Sequence, residues 1–177
     1  MTCIVGLIDN GMVYIGGDSA GVSGSDLIVR NDKKVFKVGN FIFGFTSSFR
    51  MGQLLQYSFS PPKYYPDKPL MKYMVVDFID SIRECFKKGG YASKSNEVES
   101  AGTFIVGYNG ALFCIDSDYQ VAMSVDKYYS CGCGSQIANG SMYSTSSMNP
   151  EDRILIALKA AENHSSGVRG PFTVVSC

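Results

Sequence analysis

A threonine at position 2 can do chemistry that a threonine elsewhere in a chain cannot. A hydroxyl is a poor nucleophile near neutral pH unless a base removes its proton. A free α-amino group titrates at about 7.7–8.0, so an amino-terminal threonine carries nucleophile and general base in one residue. Thr2 reaches that state when Met1 is removed, and methionine is generally trimmed ahead of a small residue. Sixteen residues on stands Asp18, in GGDSAG, and sixteen further stands Lys34, in NDKKVFKVGN. A buried lysine needs a partner, and a buried ion pair beside a nucleophile shifts proton affinities where chemistry happens. Taken singly, Asp18 also suits a turn and Lys34 a solvated strand end; Lys33 reads as an exposed charge. His164 offers a Cys–His pairing with Cys131 or Cys133, but a lone histidine at a helix end reads as a partner of the helix dipole.

These residues need elements to position them. The 177 residues suit one domain, 1–177, able to bury a real core. Sixteen basic and sixteen acidic residues leave no net charge, which excludes a phosphate-neutralising nucleic-acid binder. Cys131 and Cys133 are too close for a structural zinc site, so no metal is expected, and the six cysteines read as reduced, mostly buried thiols. No signal-peptide pattern and no apolar run of ~20 residues is present, so a cytoplasmic protein without membrane contact is expected.

The apolar pattern predicts strands over 3–8 and 12–17 about Asp9-Asn10-Gly11, and over 34–38 and 41–46 about Gly39-Asn40, so that the first 46 residues read as antiparallel sheet. Helical spacing follows over 47–59, then a proline-punctuated connector. The strongest helix is 70–88, with an apolar stripe from Met71 through Met74, Val75, Phe78 and Ile82 to Phe86. Residues 91–100 read as polar loop. Strands resume over 103–108 and 111–116 about Asn109-Gly110, and over 120–125 and 127–133. Asn149 and Pro150 open a helix to about residue 163, and 172–175 is a last strand. Such segregated runs favour layered α+β.

With Thr2, GGDSAG and NDKKVFKVGN in place, the chain resembles the proteasome β-subunit family, and within it the compact HslV peptidases, which are N-terminal nucleophile (Ntn) hydrolases. The likeness continues through GFTSS before the first helix and GCGS at 132–135 to NHSSG at 163–167. It implies a four-layer αββα sandwich, two antiparallel sheets between helical layers. It implies a threonine peptidase that cleaves unfolded polypeptides inside a self-assembled homo-oligomeric ring or helical chamber. Thr2 would attack, Lys34 would favour ionisation of its hydroxyl, and Asp18 would hold Lys34. The Ser48 amide would supply the oxyanion hole, although Ser47-Ser48 also reads as a helix cap. Cys133, Ser135, Asn163 and Ser166 would support the terminal amine, with cysteine and asparagine standing where the family carries serine and aspartate. Gly21, Asp32, Phe36, Thr46 and Arg50 would line the pocket for the side chain before the scissile bond. No cofactor is implied. No GxxxxGK[ST] loop occurs, so an ATP-dependent unfoldase would be a separate chain. The alternative is a catalytically silent assembly or binding subunit of the same fold.

Overall fold

The first strand is buried on both faces, and that accounts for its unbroken apolar run. β1 (Ile4–Asp9) alternates its side chains between two clusters, as the two-residue strand period requires. Cys3, Val5 and Leu7 pack with Ala138 and Met142, and with Ile154, Ala157, Leu158 and Ala161. Ile4 points the other way, into a cluster with Val13, Ile15, Val35, Ile42, Ile105 and Leu112.

The computed structural model describes all of residues 1–177. β1 and β2 (Met12–Gly17) form a hairpin whose turn, Asn10-Gly11, takes φ of 46° and 81°, the left-handed pair that a two-residue turn demands. With β12 (Tyr128–Cys131) and β13 (Thr173–Ser176) they make a four-stranded sheet in the order β12-β1-β2-β13. The second sheet has the order β11-β10-β9-β6-β5. It comprises β5 (Val35–Val38), β6 (Phe41–Phe45), β9 (Phe104–Tyr108), β10 (Ala111–Ile115) and the two-residue β11 (Val121–Ala122). Every pairing within the two sheets is antiparallel.

The helices divide between the sheets. α1 (Phe49–Tyr57) and the long helical run across 70–88 cover the second sheet through a phenylalanine-rich cluster that includes Phe43, Phe45, Phe78, Phe86, Phe104 and Phe113. That run comprises α2 (Leu70–Tyr73), a π-helical turn (Met74–Phe78) and α3 (Ile79–Lys88). α4 (Ser135–Ser144) and α5 (Pro150–His164) pack on the first sheet. The Asn149 side chain accepts from the Asp152 amide at 2.9 Å and Pro150 opens α5, the cap expected from these residue types.

The structure refines these expectations. The antiparallel strands of the first 46 residues divide between two sheets, β1–β2 in one and β5–β6 in the other. Between them an extra hairpin, β3 (Ala20–Ser23) and β4 (Asp26–Val29), stands by itself. Residues 91–100 contain a small hairpin, β7 (Ser93–Ser95) and β8 (Val98–Ser100). The strand expected over 120–125 shrinks to two residues. The helix α4 was not legible, because only Ala138 and Met142 of its ten residues are buried and Gly140 interrupts them. On the long helix, Tyr73 is buried while Met71 and Val75 are exposed, because the π turn rotates the first turn against the rest. No helix is long and apolar enough to cross a membrane.

Candidate active site

The ends of both sheets meet around Thr2. Thr2 lies just before β1, Asp18 just after β2, and Lys34 just before β5. Pairing of Ile4 with Gly17 sets the first two side by side, and packing of one sheet on the other brings in the third. All three are nearly inaccessible, with 4%, 2% and 1% of their surface exposed. Lys34 Nζ donates to Thr2 Oγ1 at 2.7 Å and to Asp18 Oδ1 at 2.9 Å. Asp18 also accepts from the Cys3 amide (3.0 Å), the Ala20 amide (2.9 Å) and the Arg169 amide (3.3 Å). The carboxylate is therefore built into the backbone of two connections, and Lys34 reaches across to it.

Burial lowers the proton affinity of Lys34, and the attraction and hydrogen bond of Asp18 restore part of it. Burial, reinforced by the charge of Asp18, pushes the Cys3 thiol up to about 12. Cys131 is likewise raised well above its ordinary value by burial, an inert thiol in the cluster between the sheets. No hydrogen bond joins His164, exposed at the end of α5, to Cys131 or Cys133.

Cys133 is the thiol that faces Thr2. The Thr2 amide donates to Cys133 Sγ at 3.3 Å, and Sγ lies 3.5 Å from Thr2 O and 3.3 Å from Ser165 Oγ. Of the four residues expected to support the amine, only Cys133 is in contact. Ser135 opens α4 and its carbonyl accepts from Ser130 Oγ; Asn163 and Ser166 are exposed with no bond to Thr2. Ser165, the residue before Ser166, meets Cys133 and makes no hydrogen bond to Thr2.

The neighbouring Gly132 has φ of 96°, and a Cβ there would lie 2.2 Å from Thr2 O. Gly132→Ala should therefore destabilise the chain by at least the ~1–2 kcal/mol of left-handed strain and displace Thr2. Denaturant unfolding checks this; an unchanged midpoint would show that the loop relaxes freely.

The Ser48 region serves two roles. Ser48 Oγ accepts from the Met51 amide at 3.4 Å and caps α1. The Ser48 amide donates to Thr46 O at 2.8 Å across Ser47, whose φ is 71°: a strained γ-turn that engages the amide expected to hold an oxyanion. Thr2, Thr46, Ser47, Ser48 and Phe49 wall a small cavity of about 60 Å³, which Met1 also lines. With Met1 attached, Thr2 Oγ1 donates to Met1 O.

The five residues expected in one substrate pocket do not lie together. Phe36 is in the core, stacked on Phe43 with centroids 5.7 Å apart, because its strand turns it toward α1. Arg50 donates to Gly89 O at 2.9 Å and does not meet Asp32. Thr46 lines the small cavity. Gly21 and Asp32 line a separate cleft of about 460 Å³ with Val22, Ile28, Arg30 and Phe49, adjoining the small cavity at Val22 and Phe49. Arg30 was not anticipated there. It makes a two-pronged pair with Asp32, both contacts 2.7 Å, and lies 3.7 Å over the Phe49 ring. That pairing holds the Asp32 carboxyl below the usual range.

Solved structures supply the remaining comparison. BPH of Thiobacillus denitrificans superposes with a TM-score of 0.83 at 19% identity, covering 99% of this chain and 97% of its own. Eukaryotic HslV of Trypanosoma brucei gives 0.68 at 13%, covering 99% and 98%. The chain has the proteasome-type β-subunit fold. Anbu of Yersinia bercovieri, described as an ancestral β-subunit, shares this β-subunit fold at 0.67 and 12% identity, covering 99% of this chain and 81% of its own. The sequence matches no family model and no curated protein. The β-subunit likeness therefore rests on three-dimensional form, and at these identities it speaks for fold alone.

Proposed function

We propose that the chain is a threonine-type peptidase acting on unfolded polypeptides inside a self-assembled homo-oligomer. One observation carries this reading: Lys34 Nζ bridges Thr2 Oγ1 and Asp18 Oδ1 in a buried cluster beside a cavity. Once Met1 is gone, the Thr2 amine takes the hydroxyl proton and Oγ1 bonds to the substrate carbonyl carbon. The Lys34 ammonium steadies the developing alkoxide. The carbon–nitrogen bond then breaks, the leaving amine takes the proton, and water hydrolyses the ester to free Thr2. An oxyanion site requires the 46–48 turn to release the Ser48 amide.

Three apolar clusters, one between the sheets and one under each helical pair, support residues 1–177 as one domain with a four-layer αββα arrangement. A cytoplasmic location and a separate ATP-dependent unfoldase go with the same reading. The decisive experiment treats Met1-free protein with a peptide carrying an electrophilic carbonyl and maps the adduct by mass spectrometry. An adduct on Thr2 is expected; one elsewhere, or none, overturns the assignment.

Gly21 and Asp32 suggest how a substrate side chain is selected. A Cβ at Gly21 would lie 2.6 Å from Arg30 Cδ, so glycine lets Arg30 lie flat across the cleft. Asp32 neutralises Arg30, leaving Val22, Ile28 and Phe49 as apolar walls. Peptides with leucine or tyrosine before the scissile bond should be cut in preference to glutamate. Asp32→Asn frees the guanidinium, and kcat/KM for glutamate should then rise on the order of tenfold, since a bond to a charged group is worth ~1.5–3 kcal/mol before solvent screening. An unchanged ranking in a peptide panel would remove Arg30 from the pocket.

A second reading has its own observation. The Ser48 amide and the Thr2 hydroxyl are both engaged by backbone carbonyls, Thr46 O and Met1 O. A chain that keeps Met1 would be a silent assembly subunit. Intact mass of the purified protein separates the two.

A further inference from the structure

One buried side-chain nitrogen or oxygen in the whole chain lacks a hydrogen-bond partner, and it is Arg153 Nε. Arg153 sits in the first turns of α5 with 9% of its surface exposed. Nη2 donates to Met142 O at 2.8 Å, and no carboxylate lies within ion-pair distance. The other arginines are provided for: Arg30, Arg83 and Arg169 pair with Asp32, with Asp80 and Glu99, and with Glu162, while Arg50 is exposed. A guanidinium cannot shed its proton to escape burial. Nε itself is enclosed, but the guanidinium charge it shares has no counter-ion, and an anion at the wall of the cleft that Arg153 lines would supply one.

Arg153 lines a cleft of about 700 Å³ at the opposite end of β1 from Thr2. Lys127 adds a second cation to its walls, and Asp9 and Asp126 add two carboxylates. Tyr128 and Tyr143 supply aromatic surface. A simple anion would answer the arginine but would face the two aspartates unbalanced. A ligand carrying a carboxylate and an ammonium answers both sets.

We propose that this cleft binds a free amino acid or short peptide as its zwitterion. The ligand carboxylate sits on Arg153 and Lys127, its ammonium toward Asp9 and Asp126, and its side chain against the two tyrosines. The inference does not depend on the chemistry assigned to Thr2.

Thermal unfolding and calorimetry of the full chain at low ionic strength test it with four probes: phenylalanine, N-acetylphenylalanine, phenylalaninamide and inorganic phosphate. Phenylalanine should raise the melting temperature and bind at least about tenfold more tightly than either blocked form, because each lacks one charge-assisted contact. Arg153→Gln should lose the response, Tyr143→Ala should weaken it, and Thr2→Ala should keep it. Should Arg153→Gln fail to fold, Lys127→Ser, at an exposed position, carries the test with the same expected loss. No response to any probe, or an Arg153→Gln or Lys127→Ser protein that responds like the parent, overturns the site. Equal responses to phosphate, N-acetylphenylalanine and phenylalanine overturn the zwitterion assignment.

Discussion

Thr2→Ala should abolish peptide cleavage while the protein still folds. The substitution removes the atom that would bond to the substrate carbonyl, and the buried groups around it cannot replace it. Cys3 and Cys131 are held protonated by burial, and Lys34 is a cation with no role as an oxygen nucleophile. The structural loss is small: the contact from Lys34 Nζ disappears, but Asp18 still engages that ammonium at 2.9 Å. A stability change of about 1 kcal/mol is expected, the ordinary scale of a point substitution. Thr2→Ser should keep part of the activity, since it retains the hydroxyl and loses a methyl that restricts the side chain. Hydrolysis of a fluorogenic peptide and a urea unfolding curve measure both effects. Parental turnover in Thr2→Ala would redirect attention to Cys133, the exposed thiol 3.3 Å from the Thr2 amide.

Changes to the ion pair should cost both activity and stability. Lys34→Ala leaves Asp18 buried with three amide donors but no counter-charge, and breaking a buried pair costs ~3–5 kcal/mol. Asp18→Asn preserves shape but not chemistry. Donors surround both carboxylate oxygens, so the amide NH2 of asparagine must face another donor. Both variants should lose peptide cleavage and unfold at lower denaturant. If both cleave at the parental rate, the cluster is structural only.

The lowered proton affinity of Lys34 has a pH signature. Between its folded value and the ordinary lysine range, the unfolded chain holds more protons than the native one. The stability linked to this residue therefore rises with pH across that window. Activity should run the opposite way, falling as the ammonium beside Thr2 loses its proton, on an alkaline limb below the ~10.4 of an unperturbed lysine. A pH–rate profile whose alkaline limb lies at or above that value would show that Lys34 does not titrate in the active form.

Three residues of the candidate site were placed from the sequence because they sit at strand ends. Apolar runs, two Asn-Gly turns and the Gly39-Asn40 turn located β1, β2, β5, β6, β9 and β10, and hence located Thr2, Asp18 and Lys34 at their boundaries. Alternation along β1 also placed Cys3 away from the site, in the cluster under α4 and α5. Residues whose roles depend on side-chain direction were less legible. Phe36 and Arg50 are near the site in sequence, yet one turns into the core and the other reaches for Gly89 O.

The sequence by itself determined most of the strands, the caps and the turns, because these follow from contacts within a few residues, and it thereby put Thr2, Asp18 and Lys34 at strand ends. Tertiary structure alone decided that Lys34, from one sheet, reaches Asp18 and Thr2 on the other. It also decided that Ser165 and not Ser166 meets Cys133, that Arg30 and not Arg50 pairs with Asp32, and that Arg153 is buried without a carboxylate. Each of those outcomes depends on how two elements distant in the chain pack, and a side chain's partner across such a contact is set by element orientation, which local sequence does not encode.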